Sequence, residues 1–280
     1  MSDHTECEIR GHDGTPLRLL TWAADHEPRG LLILVHGLGE HVGRYDAIAK
    51  AFNAIGVTVV GGDHRGHGRS GGLRGHVDGF DEYTADVACV VRHAQATLGD
   101  ELPWFVLAHS MGGLIAVRYL ADASLPQPAG AILSNPQLGL AFEPPKIKVA
   151  AGRILSRLLP KVRLDSELDV QAISRDPAEV KKYVDDPLVH GKVSTRWFTS
   201  MTRALEDARL SGPQIAVPTQ WILSGGDRIC SAPAAREIQE QVANSRRLDL
   251  PEAFHEPHNG PDRALFVDAA ITFVQEHLPA

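Results

Sequence analysis

The chain predicts an α/β fold: a mostly parallel sheet with helices on both faces, interrupted by a helical cap. Three observations carry this. Short apolar runs alternate with helical patterns from residue 31 to residue 136. The alternation breaks over residues 139–213, where the patterns are mostly helical and no clear buried strand appears. It then resumes from residue 219 to the C-terminus. Parallel neighbours need a crossover, and a helix is the usual one, so strict alternation means a sheet covered on both sides. The expected organisation is a core in two parts, 1–138 and 214–280, around a cap at 139–213. Ligands bind at the carboxyl ends of the strands in such sheets, and the break falls at that end.

The elements follow in order. "ECEIRG" and "PLRLLTWA" are short, half-alternating strands joined by the turn-former "HDGTP", as in an antiparallel hairpin. "LLILVHG" is continuously apolar, which marks a strand buried on both faces. "RYDAIAKAFNAIG" has helical spacing and a terminal glycine. "VTVVGGD" is the next strand, "GFDEYTADVACVVRHAQATLG" a long amphipathic helix, "WFVLA" a strand and "MGGLIAVRYLADA" a helix. "GAILSNP" closes the first part. After the cap come the strand "TQWILSGGD", the helix "APAAREIQEQVA", the strand "SRRLDL" and the helix "PDRALFVDAAITFVQEHL".

Composition narrows the function. With 280 residues, 43% hydrophobic and 22% charged, the chain suits one large domain, or one domain with an insertion. A formal net charge of −7 argues against a nucleic-acid partner. Cys7, Cys89 and Cys230 are an odd, scattered set, which suggests a reducing compartment and neither a disulfide frame nor a zinc knuckle. The start "MSDHTECEIR" is polar and acidic, unlike a signal peptide, and no run of about 18 apolar residues exists. A cytoplasmic location is expected.

Two serines compete for one role. Residues 68–72, "GRSGG", are the only strict match to G-x-S-x-G, the pattern of a turn that presents a nucleophilic serine. "FVLAHSMGGLIAVRYLA" is a near miss, with Ala108 in place of the first glycine. Chemistry favours the near miss. A serine hydroxyl is a weak nucleophile. It must project from a tight strand-to-helix turn toward a base, with backbone N–H groups near the carbonyl it attacks. Ser110 follows four apolar residues and precedes a helix, whose N-terminus adds partial positive charge where an oxyanion would form. Ala108 adds only one methyl, and Gly112 and Gly113 keep the other side open. Ser70 lies in a glycine-rich stretch, read as a flexible loop, with no strand directly before it.

An acid and a base are expected after the serine, in that order. Asp227 follows the strand "WILSGG", and His255 follows "RRLDLPEAF". Both sit just past a strand's carboxyl end, on the same edge as Ser110. The rivals are Asp249, inside its strand, and His258 and His277. In the expected mechanism His255 takes the Ser110 proton and Asp227 fixes the imidazole. The second oxyanion donor comes from "LVHGLGEH", so the assigned backbone N–H groups are those of Leu38 and Met111. His36 reads as a packed loop histidine.

These segments together resemble the monoglyceride lipase and lysophospholipase family of α/β-hydrolases. "HGLGEHVGRY", "DHRGHGRSGG", "HSMGG", "SRDPAEVKKYVDDPLVHGKVSTRWF", "SGGDRIC" and "FHEPHN" stand in family order over nearly the whole chain. Ala108 is the one departure, and it touches the rate at most. The resemblance implies that Glu40, Arg44 and His258 line a pocket for glycerol. The alternative is that Glu40 and Arg44 form a loop salt bridge. It also implies that the histidines of "DHRGHGRSGG" are structural.

Within the cap, "KIKVAAGRILSRLLPKVR" (146–163) carries Lys146, Lys148, Arg153, Arg157, Lys161 and Arg163 and no acid. Ile147, Ala150, Ala151, Ile154, Leu155 and Leu158 recur at helical spacing. Such a helix suits a membrane surface, an acyl tunnel, or packing on the domain with solvated charges. The expected substrate is a lipid ester, monoacylglycerol or lysophospholipid, cleaved through an acyl-enzyme on Ser110. The expected partners are that substrate and a membrane surface met through the cap. A broad short- or medium-chain carboxylesterase remains an alternative. No cofactor is expected. Fourteen histidines raise a metal hydrolase as a rival class, but no H-E-x-x-H or H-x-H-x-D-H motif occurs, so no metal is expected. A non-catalytic binding protein would have no need of all three of Ser110, Asp227 and His255.

Overall fold

The computed structural model describes residues 4–142 and 146–279. The first three residues of the polar N-terminal stretch, residues 143–145 of the expected cap, Ala280 and the side chains of Lys146 and Lys148 lie outside the described residues.

The eight strands of the main sheet are β1 (Thr5–Arg10), β2 (Pro16–Trp22), β3 (Gly30–Val35), β4 (Val57–Gly62), β5 (Trp104–His109), β6 (Gly130–Ser134), β9 (Thr219–Ser224) and β10 (Ser245–Leu250). Their order is β1-β2-β4-β3-β5-β6-β9-β10. β1 and β2 form the expected antiparallel hairpin, and β2 pairs antiparallel with β4. Every later pair is parallel. The apolar strands β3, β4, β5, β6 and β9 are buried along their whole length, as two covered faces require. The edges are different. β1, with Glu6, Glu8 and Arg10, is largely exposed, which keeps that edge from pairing with other chains.

Alternation sends successive residues to opposite faces. In β5, Trp104, Val106 and Ala108 join one core cluster, while Phe105 and Leu107 join the other. The first face is covered by α2 (Asp81–Leu98), α3 (Met111–Ala121) and α7 (Ala232–Gln239), with α6 (Thr195–Ala208) packed on α3. The second is covered by α1 (Asp46–Asn53) and α8 (Arg263–His277). α1 is shorter than expected because residues 42–45 form a 3-10 turn. α7 also ends early, at Gln239.

Between β6 and β9 the chain forms α4 (Lys146–Leu158), α5 (Pro177–Asp185) and α6. It also forms a two-stranded antiparallel ladder of β7 (Arg163–Asp165) and β8 (Lys192–Ser194), which sequence patterning did not reveal. Asp176 and Ser194 cap α5 and α6 by accepting the Ala178 and Trp197 N–H groups. α4 seats on α6 through its small residues. A Cβ on Gly152 would touch the Phe198 ring at 3.5 Å, and Ser156 Oγ lies 2.8 Å from Thr199 Oγ1. That contact turns Ile147, Ile154 and Leu158 outward, at 81%, 61% and 71% exposure. Arg153 and Arg157 share the exposed surface.

Candidate active site

The strand-to-helix turn at Ser110 is built by backbone geometry. Ser110 has φ 55° and ψ −120°, a left-handed conformation that costs a non-glycine residue about 1–3 kcal/mol. Surrounding bonds hold it there. Its N–H donates to Ser134 O at 3.0 Å, and its carbonyl accepts the N–H groups of Gly113 and Gln137 at 2.9 and 2.8 Å. The turn brings helix and strand into contact. A Cβ on Gly112 would sit 2.1 Å from Val35 O, and one on Gly113 would sit 2.4 Å from Pro136 Cβ. No side chain fits at either place. Position 108 carries a side chain without such a clash. Ala108 is fully buried in the core beside Val35 and Leu133, so its methyl is accommodated.

Ser110 Oγ lies 2.9 Å from His255 Nε2, and His255 Nδ1 lies 2.8 Å from Asp227 Oδ2. The other Asp227 oxygen accepts the N–H groups of Ile229 and Cys230 at 2.8 and 3.0 Å, which fixes the carboxylate's orientation. Burial alone would lower the His255 pKa. The Asp227 charge and its hydrogen bond outweigh that, and the net shift is upward from the ordinary 6.5. A carboxylate on Nδ1 leaves Nε2 as the acceptor that faces the serine.

The rival residues have other partners. Ser70 Oγ donates to Asp63 O at 2.6 Å and accepts the Arg18 N–H at 2.9 Å, so it braces two backbone segments. The stretch around it is not loose. Residues 63–68 are buried, and Asp63 accepts the N–H groups of Val42 and Arg69 at 3.0 and 2.8 Å. Its glycines serve a tightly folded path, since Gly66, Gly68, Gly72 and Gly75 all have positive φ. Asp249 pairs with Arg236 and Arg247. His277 bonds to Phe273 O at 2.7 Å on the far helix.

The loop after β3 lies against the serine. A Cβ on Gly37 would be 3.1 Å from Ser110 Cβ. Among the described residues, neither the Leu38 nor the Met111 N–H has a hydrogen-bond acceptor within the chain. His36 is packed as expected. Its Nδ1 donates to Gly37 O at 2.8 Å and its Nε2 accepts the His64 N–H at 2.9 Å. Burial holds its pKa well below 6.5.

Glu40, Arg44 and His258 come together beside this loop, but in a different state from a free pocket lining. Arg44 Nη1 bonds Glu40 Oε2 at 2.6 Å, as the salt-bridge alternative expects. A second carboxylate joins it: Glu256 takes Nη1 and Nη2 of Arg44 at 2.7 Å each. Glu40 and Glu256 are buried, and the Arg44 side chain between them is only 9% exposed. His258 is fully buried, stacked on Tyr45 with ring centroids 5.0 Å apart, and among the described residues neither of its ring nitrogens has a hydrogen-bond partner. Burial pushes its pKa down to about 4, so it is neutral at pH 7.

Three residues near the site were missed by sequence reasoning. Glu256 is one. Asn135 is another, at φ 40°: its side chain donates to Ser224 Oγ at 2.8 Å and His255 O at 2.7 Å and accepts the Ser224 N–H at 2.8 Å. It ties the ends of β6 and β9 to the His255 loop. Cys230 is the third, buried with Sγ 3.9 Å from Ser110 Oγ. Donor atoms of Asp227, Cys230 and His255 lie within 4.8 Å of one another, but the aspartate and histidine are already bonded to each other. Among the described residues no helix is long and apolar enough to cross a membrane.

A mostly parallel sheet with a serine, histidine and aspartate in hydrogen-bond sequence at its carboxyl edge defines the class: a serine ester hydrolase of the α/β-hydrolase fold. The family model described as serine aminopeptidase, S33 matches residues 26–262. The monoacylglycerol lipase of Mycolicibacterium smegmatis is 35% identical, with 99% of each chain aligned. Phospholipase YtpA of Bacillus subtilis is 30% identical over 92% of this chain and 99% of its own. The crystal structure of Paleococcus ferrophilus monoacylglycerol lipase superposes with a TM-score of 0.85 at 29% identity, covering 93% of this chain and 99% of that one. The chain belongs to the monoglyceride lipase family of α/β-hydrolases.

Proposed function

We propose that the protein hydrolyses monoacylglycerol to fatty acid and glycerol through an acyl-enzyme on Ser110. The observation that carries this is the hydrogen-bond sequence Ser110–His255–Asp227, at 2.9 and 2.8 Å, set on a strained turn. His255 Nε2 removes the Ser110 proton as Oγ bonds to the ester carbonyl carbon. The carbonyl oxygen becomes an oxyanion and takes the free N–H groups of Leu38 and Met111. The carbon–oxygen bond to glycerol then breaks, and His255 returns the proton to the leaving alkoxide. Water, deprotonated by His255, repeats the attack and frees the acid. Asp227 holds the imidazole and offsets its positive charge. No step calls for a cofactor.

The alcohol is received at the corner of Glu40, Arg44 and His258. Support comes from the family resemblance and from the two partnerless ring nitrogens of His258. A lysophospholipase is the second reading, favoured by the relation to a Bacillus subtilis phospholipase. A phosphodiester would meet two buried carboxylates on a single arginine there. We read residues 139–213 as a cap, and the outward apolar and basic surface of α4 as its contact with a lipid surface. The test is fatty acid release from 1-monoacylglycerol and lysophosphatidylcholine side by side. Faster release from monoacylglycerol is expected. Preference for the lysophospholipid would keep the serine chemistry and overturn the glycerol corner.

A further inference from the structure

We propose that Glu256 is a positioning residue that locks the oxyanion loop and the base into one rigid unit. This rests on the reading of Ser110 and Leu38 above. The argument follows a chain of bonds. Glu256 is the next residue after His255, and its N–H donates to Ile173 O at 2.7 Å. Its carboxylate grips Arg44 with two bonds of 2.7 Å, a fork geometry that fixes direction as well as distance. Asn259 Nδ2 supports it at 3.1 Å. Arg44 passes the restraint to Glu40 at 2.6 Å. Glu40 Oε1 in turn accepts the Tyr45 hydroxyl at 2.8 Å and the Gly37 N–H at 2.7 Å. Gly37 precedes Leu38, the assigned oxyanion donor, and lies against Ser110.

Two segments far apart in sequence are thereby joined by charge-assisted bonds inside the protein. The Gly37 amide is committed to Glu40, so the peptide plane that follows can aim its own N–H, that of Leu38, at the reacting oxygen. An ion pair is a costly way to stabilise a core. Burying three charges loses hydration that mutual attraction only partly returns, and an apolar cluster would serve stability as well. What the cluster provides is direction. Arg44 also lies over the Tyr183 ring, 4.7 Å from its centre, so α5 of the cap rests on the same guanidinium.

The experiment measures inhibition by a long-chain alkyl trifluoromethyl ketone, whose hemiketal with the serine carries an oxyanion. Wild type, Glu256→Gln, Glu256→Asp, Asn259→Ala and Ser110→Ala are compared, each normalised to titrated folded protein. The amide of Glu256→Gln faces an arginine N–H with another N–H and breaks the fork. Its Ki should rise about tenfold, below the 100- to 1,000-fold typical of losing a donor outright. The kcat for a p-nitrophenyl ester should fall in step, with KM nearly unchanged. Glu256→Asp, which can keep one bond to Arg44, should recover part of the loss. A folded Glu256→Gln enzyme with wild-type Ki overturns the proposal. If that variant fails to fold, Asn259→Ala decides: a Ki raised two- to threefold supports the positioning role, and an unchanged Ki overturns it. Wild type that ignores the ketone, or Ser110→Ala that still binds it tightly, would instead overturn the serine reading itself.

Discussion

Replacing Asp227 by asparagine isolates its proposed role better than deleting it would. The two oxygens of Asp227 have different duties. Oδ1 accepts two backbone N–H groups, at 2.8 and 3.0 Å. Oδ2 faces His255 Nδ1 at 2.8 Å. An asparagine must place its oxygen and its NH2 on these two sides. With the NH2 toward Ile229 and Cys230, two hydrogen bonds worth about 1 kcal/mol each are lost and donors oppose donors. The amide oxygen therefore stays on the backbone side, and the NH2 turns to His255. Nδ1 must then accept, so the ring proton moves to Nε2. That nitrogen can no longer take the Ser110 proton. The expected loss is about 10,000-fold in kcat, or roughly 5.5 kcal/mol of transition-state stabilisation. Folding should change little, because the side chain keeps its size and its backbone contacts. The assay is steady-state hydrolysis of a p-nitrophenyl ester, with thermal unfolding as the control. A folded variant that loses less than tenfold would refute the tautomer argument.

Two further outcomes follow from the same geometry. In the proposed mechanism protonated His255 is inactive, and its upward shift means that this form persists above the ordinary 6.5. The acid limb of kcat/KM should therefore have its inflection above pH 6.5, and an inflection at or below 6.5 would contradict the ion-pair account. For stability the sign is opposite: the contribution is complete below the unfolded-state value and is lost as pH rises through the folded one. The α4 surface gives the other prediction. Arg153→Gln with Arg157→Gln should lower binding to anionic phosphatidylglycerol vesicles at least severalfold, since each basic residue near such a surface contributes about 1 kcal/mol. Hydrolysis of a soluble ester should be unchanged. Equal vesicle binding by the variant would remove the membrane reading.

The sheet was legible because its inner strands are apolar throughout, and burial on both faces leaves no other pattern. The turn at Ser110 was legible because strand, small residues and helix must meet around it. The strict motif at Ser70 misled only as a pattern, and its glycines and buried Asp63 explain why that stretch is folded tightly. Other features had no local signal. β7 and β8 are three residues each, too short for periodicity. The spacing of α4 announced an amphipathic helix but not which side faces out. That was decided by Gly152 and Ser156 packing on α6. Glu40 and Arg44 are four residues apart, so their pairing was readable, whereas Glu256 arrives from the far end of the chain. Its one hint was a carboxylate beside the histidine in "FHEPHN". Asn135 left only a turn-forming "NP" as its signature.

The central claim is that the ester's acyl group passes through Ser110. The most direct measurement is acid-quenched intact-mass and peptide mapping after brief exposure to a p-nitrophenyl ester, with a fluorophosphonate label in parallel. The account predicts one acyl or phosphonyl mass per chain, on the peptide that contains Ser110 and absent from Ser110→Ala. An adduct on the peptide containing Ser70, or turnover with no adduct on any serine, would contradict it.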